Sequence, residues 1–256
     1  MMPLWLTGAF LVTALLYSSV GFGGGSTYTA LLVFSGLQIS LVPFISLACN
    51  LTVTSTGTWK AGRAGLYDGS GLWPILACSV PAAFLGGLTP IDDRGLILLL
   101  GLSLLVASLQ LAWTTLSSRQ NRSESDRARS LWIAPLIGTA IGYLSGLVGI
   151  GGGIFLAPVL HLVAWDTPRK IAAIATAYIA ANSVAGLAGK LLSLSDPEAF
   201  ESLVSYWPLL PSVLIGSWVG HRFMLGIFPE RLVKGVTAAL ILFVAIRLLI
   251  RPYGGA

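Results

Sequence analysis

Residues 21–25 read Gly-Phe-Gly-Gly-Gly and residues 149–153 read Gly-Ile-Gly-Gly-Gly. Each cluster interrupts a long apolar stretch, although one glycine inside a helix costs about 1 kcal/mol relative to alanine. Four glycines in five residues break a helix outright and free backbone N–H and C=O groups that no side chain shields. Lipid cannot satisfy those groups, so such a break survives only where protein or a water-filled cavity supplies partners.

The surroundings of the clusters are those of a membrane protein. Of 256 residues, 55% are hydrophobic and only 10% charged, against about 25% charged in ordinary soluble domains. Mean hydropathy is +0.84, and the 8 tryptophans and 30 glycines fit the usage of bilayer interfaces and transmembrane helices. The net charge of +5 comes from basic residues between apolar segments, so nucleic acid is not an expected partner. The N-terminus, MMPLWLTGAF, lacks the basic and cleavage regions of a signal peptide and reads as a retained first span. Cys49 and Cys78 lie singly in apolar segments and read as buried packing residues, not as a disulfide or metal site.

Apolar segments fall at 4–20, 26–37, 41–59, 70–89 and 95–116, then at 132–148, 154–165, 170–190, 203–223 and 231–250. The hydrophilic stretch 117–130, SSRQNRSESDRARS, reads as an exposed linker. Most segments approach the roughly 20 residues of a spanning helix, but 26–37 and 154–165 suit half-helices or re-entrant arms. Both follow a glycine cluster directly. The halves also match residue by residue: Asn50 with Gly57 answers Asn182 with Gly189, and Trp73-Pro74 with Leu76 and Gly86 answers Trp207-Pro208 with Leu210 and Gly220. Three motifs recurring in one order mark an internal duplication.

Basic residues test orientation. If each glycine cluster turns a hairpin, Lys60, Arg63, Arg119, Arg122, Arg127, Arg129, Arg169, Lys170, Arg222, Arg231 and Lys234 share one side, and Arg94, Lys190, Arg247 and Arg251 the other. That division, 11 to 4, is sharper than the 9 to 6 that follows if each cluster merely interrupts one crossing. The positive-inside rule favours the hairpins. The expected fold is therefore all-α: a polytopic membrane protein of two inverted repeats, each a Gly-broken helical hairpin plus three transmembrane helices. Residues 1–116 form the first membrane repeat, 117–130 a cytoplasmic linker, and 131–256 the second membrane repeat. The termini lie outside the cytoplasm.

A new helix after each break, from Ser26-Thr27 and from Ile154, would point unpaired N–H groups and a positive dipole end at the gap. That is an anion-binding arrangement, and broken helices in inverted repeats are the pattern of secondary transporters. Spaced glycines on one face would serve close helix packing instead, whereas these are contiguous. Asn50 and Asn182 each place an amide in an apolar helix, where it needs a partner. Either an interhelical hydrogen bond or a shared cavity meets that need. Thr52, Thr54, Ser55 and Thr56 flank Asn50, while only Ser183 flanks Asn182, so the half-sites are expected to be unequal. Asp68, Asp92, Asp93, Asp166, Asp196, Glu198, Glu201 and Glu230 fall in loops or at segment ends, which argues against a cation as cargo. His161 reads as a neutral, hydrogen-bonded histidine, His221 as interfacial, and Lys60 and Lys190 as snorkelling side chains.

Other classes fare worse. An intramembrane hydrolase built on Ser145 with His161 or His221 lacks the nucleophile spacing and an orienting acid. A nucleotide loop at GFGGG lacks a βαβ context. An anion channel uses the same broken helices and is separated from a carrier by single-channel currents as against saturable flux.

The paired G-[FI]-G-G-G clusters, the mid-helix asparagines, the duplicated halves and the length together resemble the TauE/SafE family of sulfite and organosulfonate exporters, over essentially the whole chain. The resemblance implies a bacterial inner-membrane permease moving sulfite, sulfoacetate or a related small anion outward. By position it carries over Gly21, Gly23, Gly24, Gly25, Asn50, Gly149, Gly151, Gly152, Gly153 and Asn182 as site residues. The residues themselves add Ser26, Thr27 and Thr54. The second cluster departs by leading into the apolar Ile154-Phe155-Leu156-Ala157-Pro158. No catalytic residue, metal or cofactor is expected. The expected partners are a small anion and membrane lipid, with a homodimer left open.

Overall fold

The computed structural model describes residues 3–19, 23–67, 72–116, 124–162, 165–194, 197–222 and 230–250, and the regular elements among them are all helical. The first half comprises α1 (Leu4–Ser19), α2 (Gly25–Phe34), α3 (Val42–Arg63, entered through a 3₁₀ turn at Ile39–Leu41), α4 (Leu72–Leu88) and α5 (Asp93–Leu116). The second comprises α6 (Glu124–Val148), α7 (Gly153–Leu162), α8 (Pro168–Ser193), α9 (Pro197–Val204), α10 (Leu209–Arg222) and α11 (Glu230–Ile250). This is an all-helical polytopic membrane protein. Among the described residues four stretches are long and apolar enough to cross a bilayer: Ile39–Arg63, Asp93–Gln110, Arg169–Ser193 and Ala199–Gly220.

Both faces of these helices are apolar. On α5, Leu96, Leu100, Leu104 and Ala107 are buried while Leu98, Leu102, Val106, Leu109 and Trp113 are exposed. A soluble helix would present polar groups on its outer face, and a helix apolar all round needs lipid on that side. Trp73 and Trp207, in matching places at the starts of α4 and α10, are also exposed, as interfacial tryptophans are.

Helix pairs close through small residues. Gly138, Gly142 and Gly146 of α6 abut Ile75, Ser79 and Ala83 of α4 in the same order, so α6 and α4 run parallel. Gly216 and Gly220 of α10 abut Leu11 and Leu15 of α1 in the same way. Several of these glycines sit directly against a facing backbone carbonyl, a spacing that any β-carbon would forbid. The central pair differs in direction. Leu47 of α3 lies against Gly186 of α8, while the Tyr67 hydroxyl, past the end of α3, reaches Thr58 O at 3.3 Å and Ala173 O at 3.4 Å. Positions 47 and 58 rise along α3 as 186 and 173 fall along α8. The two helices are therefore antiparallel.

Several expectations are corrected. The segment 203–223 is two helices, α9 and α10, separated by hydrogen-bonded turns over 205–208. Within the stretch 117–130, Glu124–Ser130 are helical and begin α6, and 117–123 lie outside the described residues. Cys49 is buried as expected, but Cys78 is exposed on the outer face of α4. Lys60 is exposed whereas Lys190 is only 7% exposed, so the two lysines are not equivalent.

Candidate functional site: the meeting of two glycine tips

Each cluster ends one helix and starts a short one. Gly24 adopts φ +87° and caps α2 without help from any side chain, its carbonyl accepting the N–H groups of Thr27 and Tyr28. In the second half Gly149, Gly151 and Gly152 adopt φ +82°, +82° and +71°, and Gly152 O accepts from Phe155 and Leu156. An L-residue in this left-handed region costs roughly 1–2 kcal/mol, so the glycines are required by conformation as well as by space. Helices α2 and α7 have 10 residues each, about 15 Å by helical rise, or half of a hydrocarbon layer about 30 Å thick.

The tips touch. A β-carbon on Gly25 would collide with Ile150 O and the Asn50 amide nitrogen. One on Gly23 would lie 2.8 Å from Asn50 Oδ1 and 3.3 Å from Ile179, and one on Gly151 2.7 Å from Asn50 Nδ2 and 3.0 Å from Ile179. Asn50 is the ninth of the 22 residues of α3, and Ile179 the twelfth of the 26 of α8. Both tips therefore stand near mid-length of the antiparallel pair. Asn50 Nδ2 donates to Ile150 O at 3.1 Å, tying α3 of one half to the break of the other.

Around the first tip most of the polar groups are paired. Tyr17 and Thr27 share a hydrogen bond of 2.7 Å. Thr29 donates to Ser46 at 3.0 Å, Ser46 to Gly25 O at 3.2 Å, and Thr54 to Asn50 O at 2.6 Å. All of these side chains are buried, and two buried groups at this tip have no partner, Asn50 Oδ1 and the hydroxyl of Tyr28, which packs on Gly24.

Around the second tip they are not. Ser145 and Tyr178 line Gly152, with Ser145 Cβ 3.2 Å and Tyr178 Cε1 3.0 Å from where its β-carbon would be. The Tyr178 hydroxyl lies beside Asn182 and Ser79 but donates to Gly138 O at 2.5 Å. Ser79 Oγ, Ser145 Oγ, Ser183 Oγ and both ends of the Asn182 amide are buried without a hydrogen-bond partner.

Of the residues expected from sequence, Gly23, Gly25, Gly151 and Asn50 converge at the contact of the tips, with Thr54 beside Gly23. Ser26 and Thr27 are buried, and Thr27 is occupied by Tyr17. Gly24, Gly149, Gly152 and Gly153 shape the breaks: Gly149 packs on Pro43 and Gly153 on Ile179. Asn182 belongs to the separate cluster beside Tyr178. Gly21 lies outside the described residues, as do the side chains of His161 and His221. Ser79 and Tyr178 were missed. Their only sequence signal is spacing, since Tyr178 stands one helical turn before Asn182. Among the described residues no group of three His, Cys, Asp or Glu could hold a metal.

With the breaks and the apolar exterior established, comparison with known proteins fixes the family. The family model described as "Sulfite exporter TauE/SafE" matches residues 6–248. The chain belongs to the TauE/SafE family. It is 32% identical over 218 residues to the probable membrane transporter protein y4hK of Sinorhizobium fredii, covering 84% of this chain and 87% of that one. It is 24% identical over 265 residues to the probable membrane transporter protein MamO of Paramagnetospirillum magneticum, covering 89% of this chain but only 41% of that longer protein. A 72-residue stretch is 38% identical to the probable membrane transporter protein MJ0441 of Methanocaldococcus jannaschii, covering 28% of this chain and 27% of that one. No solved structure matches. This TauE/SafE protein is thus a multi-pass membrane transporter.

Proposed function

We propose that the protein is a secondary transporter that exports a small anion, such as sulfite, sulfoacetate or another organosulfonate, across the bacterial inner membrane. The observation that carries this reading is the contact of two glycine tips near mid-length of α3 and α8, where Gly25, Ile150 and Asn50 meet. Backbone freed from helical pairing at that depth is a means of binding charge without a charged side chain. The inverted relation of the halves is supported by the packing. Exchanging α1 with α6 and α10 with α4 maps one parallel pair onto the other, while α3 and α8, which exchange with each other, run antiparallel. A two-fold axis in the membrane plane has that effect.

Carrier action is favoured over an open channel because the tips are closed on one another. The Asn50–Ile150 bond joins α3 to the second tip, and a passage there requires it to open. Export requires no coupled ion, since each negative charge leaving a negative interior gains about 2.3 kcal/mol per 100 mV. Counterflow in proteoliposomes tests the reading. Unlabelled sulfite or sulfoacetate inside should accelerate entry of the labelled anion, with saturation. Flux without saturation or trans-acceleration would favour a channel, and absence of flux for every small anion would reject transport of anions altogether.

A further inference from the structure

The unsatisfied groups of the second tip have no structural purpose as they stand. Ser79 comes from α4, Ser145 from α6, and Tyr178 with Asn182 from α8, and all are at most 2% exposed. Burying a hydroxyl or an amide without a partner is destabilising, and native structures carry few such groups. Here Ser79, Ser145 and both ends of Asn182 are unpaired around the Tyr178 ring that packs on Gly152. The matching positions in the first half are engaged, Asn50 Nδ2 on Ile150 O, Tyr17 (the position matching Ser145) on Thr27, and Ser46 (matching Tyr178) on Gly25 O, with Asn50 Oδ1 and the Tyr28 hydroxyl left over.

We infer that the substrate is held on the second tip, by Ser79, Ser145 and Asn182 beside Gly152, and that the first tip is the structural half against which it closes. This rests on the reading of the protein as an anion transporter and names the residues and the charge class of its cargo. The donors in the cradle are neutral. The lysine farther along α8, Lys190, stands eight residues beyond Asn182, about 12 Å by helical rise. Neutral donors can replace the hydration of a singly charged oxyanion, whereas a second charge in the same place would remain uncompensated. The cradle therefore takes a singly charged oxyanion group, such as a sulfonate or hydrogensulfite, over a doubly charged one such as sulfate.

The test compares Ser79→Ala, Ser145→Ala and the double variant with Ser46→Ala, using methanesulfonate and sulfate as probes in proteoliposomes and Tm in detergent as a second readout. Each cradle variant should raise the KM for methanesulfonate at least about tenfold, the loss of a hydrogen bond to a charged group, while its Tm is unchanged or higher. Ser46→Ala should lower Tm and leave KM near that of the unsubstituted protein. Sulfate should neither be carried nor compete. An unchanged KM in the cradle variants, with transport intact, overturns the inference and leaves the transporter reading standing, as does competition by sulfate equal to that of methanesulfonate. If the unsubstituted protein carries no anion, the transporter reading fails. The Tm readout then decides the rest, because a fall in Tm for Ser79→Ala or Ser145→Ala makes those hydroxyls structural.

Discussion

The two glycine tips are near-copies in sequence and opposites in chemistry. The first, at Gly23–Gly25, is surrounded by hydroxyls of which all but that of Tyr28 are paired, and by an asparagine that donates to the facing tip. The second, at Gly149–Gly153, faces serines and an asparagine with nothing to bind. In the proposed scheme the side chains around one tip make it a joint, and those around the other leave it able to accept a ligand. A break in a membrane helix is thus no functional statement by itself. What fills its hydrogen-bonding capacity decides its role.

The sharpest way to break this comparison is at the third glycines. A β-carbon at Gly25 collides with backbone, Ile150 O, as well as with Asn50, while one at Gly153 collides with the side chain of Ile179 and has Ala175 O at an ordinary 3.6 Å. Gly25→Ala should destabilise the protein by about 3 kcal/mol or prevent insertion, at or beyond the upper end for overpacking. Gly153→Ala should cost less, about 2 kcal/mol, since a side chain and not a carbonyl has to yield. Tm in detergent distinguishes the two, and equal losses would mean that the tips are equally tight.

The asparagines should separate next. Asn50→Ala leaves Ile150 O buried and unpaired, a loss of about 1–3 kcal/mol. Asn182→Ala removes an amide that has no partner and should leave Tm unchanged or raised while reducing anion flux. Denaturation and flux measured on both variants would show opposite rankings, stability falling more for the first and transport selectively for the second.

The smallest effect concerns the clasp at one end of the central pair. Tyr67 is half-buried, and burial raises its hydroxyl above the usual tyrosine range, the hydrogen bond to Thr58 opposing this. A raised folded-state pKa means that stability from the neutral form is present below the unfolded value near 10 and that ionisation in the fold is deferred to still higher pH. Tyr67 therefore remains a donor to Thr58 O and Ala173 O throughout the neutral range. Tyr67→Phe should cost about 1 kcal/mol, seen as a small fall in Tm that does not vary between pH 6 and 8.

Much of this was legible in the sequence for a local reason. Contiguous glycines followed by a dozen apolar residues leave few outcomes in a bilayer, and α2 and α7 begin one residue earlier than Ser26 and Ile154 suggest. Asn50 was legible because an amide in an apolar helix needs a partner. That the partner is Ile150 O, 100 residues away, was not, since it depends on how the halves pack. Ser79 and Tyr178 were invisible for the same reason. A serine in an apolar helix usually bonds its own preceding turn, as Ser108 and Ser217 do here, and only the approach of Gly138, Gly142 and Gly146 to α4 brings Ser79 under the second tip. Cys78 misled because an apolar segment does not say which face meets lipid.

One measurement bears most directly on the central claim that these tips carry an anion. Purified protein in liposomes loaded with labelled sulfite should release it faster when a potassium gradient with valinomycin makes the interior negative, and more slowly when the polarity is reversed. Release that is indifferent to both polarity and the presence of the protein, for sulfite and for sulfonates alike, would contradict the account.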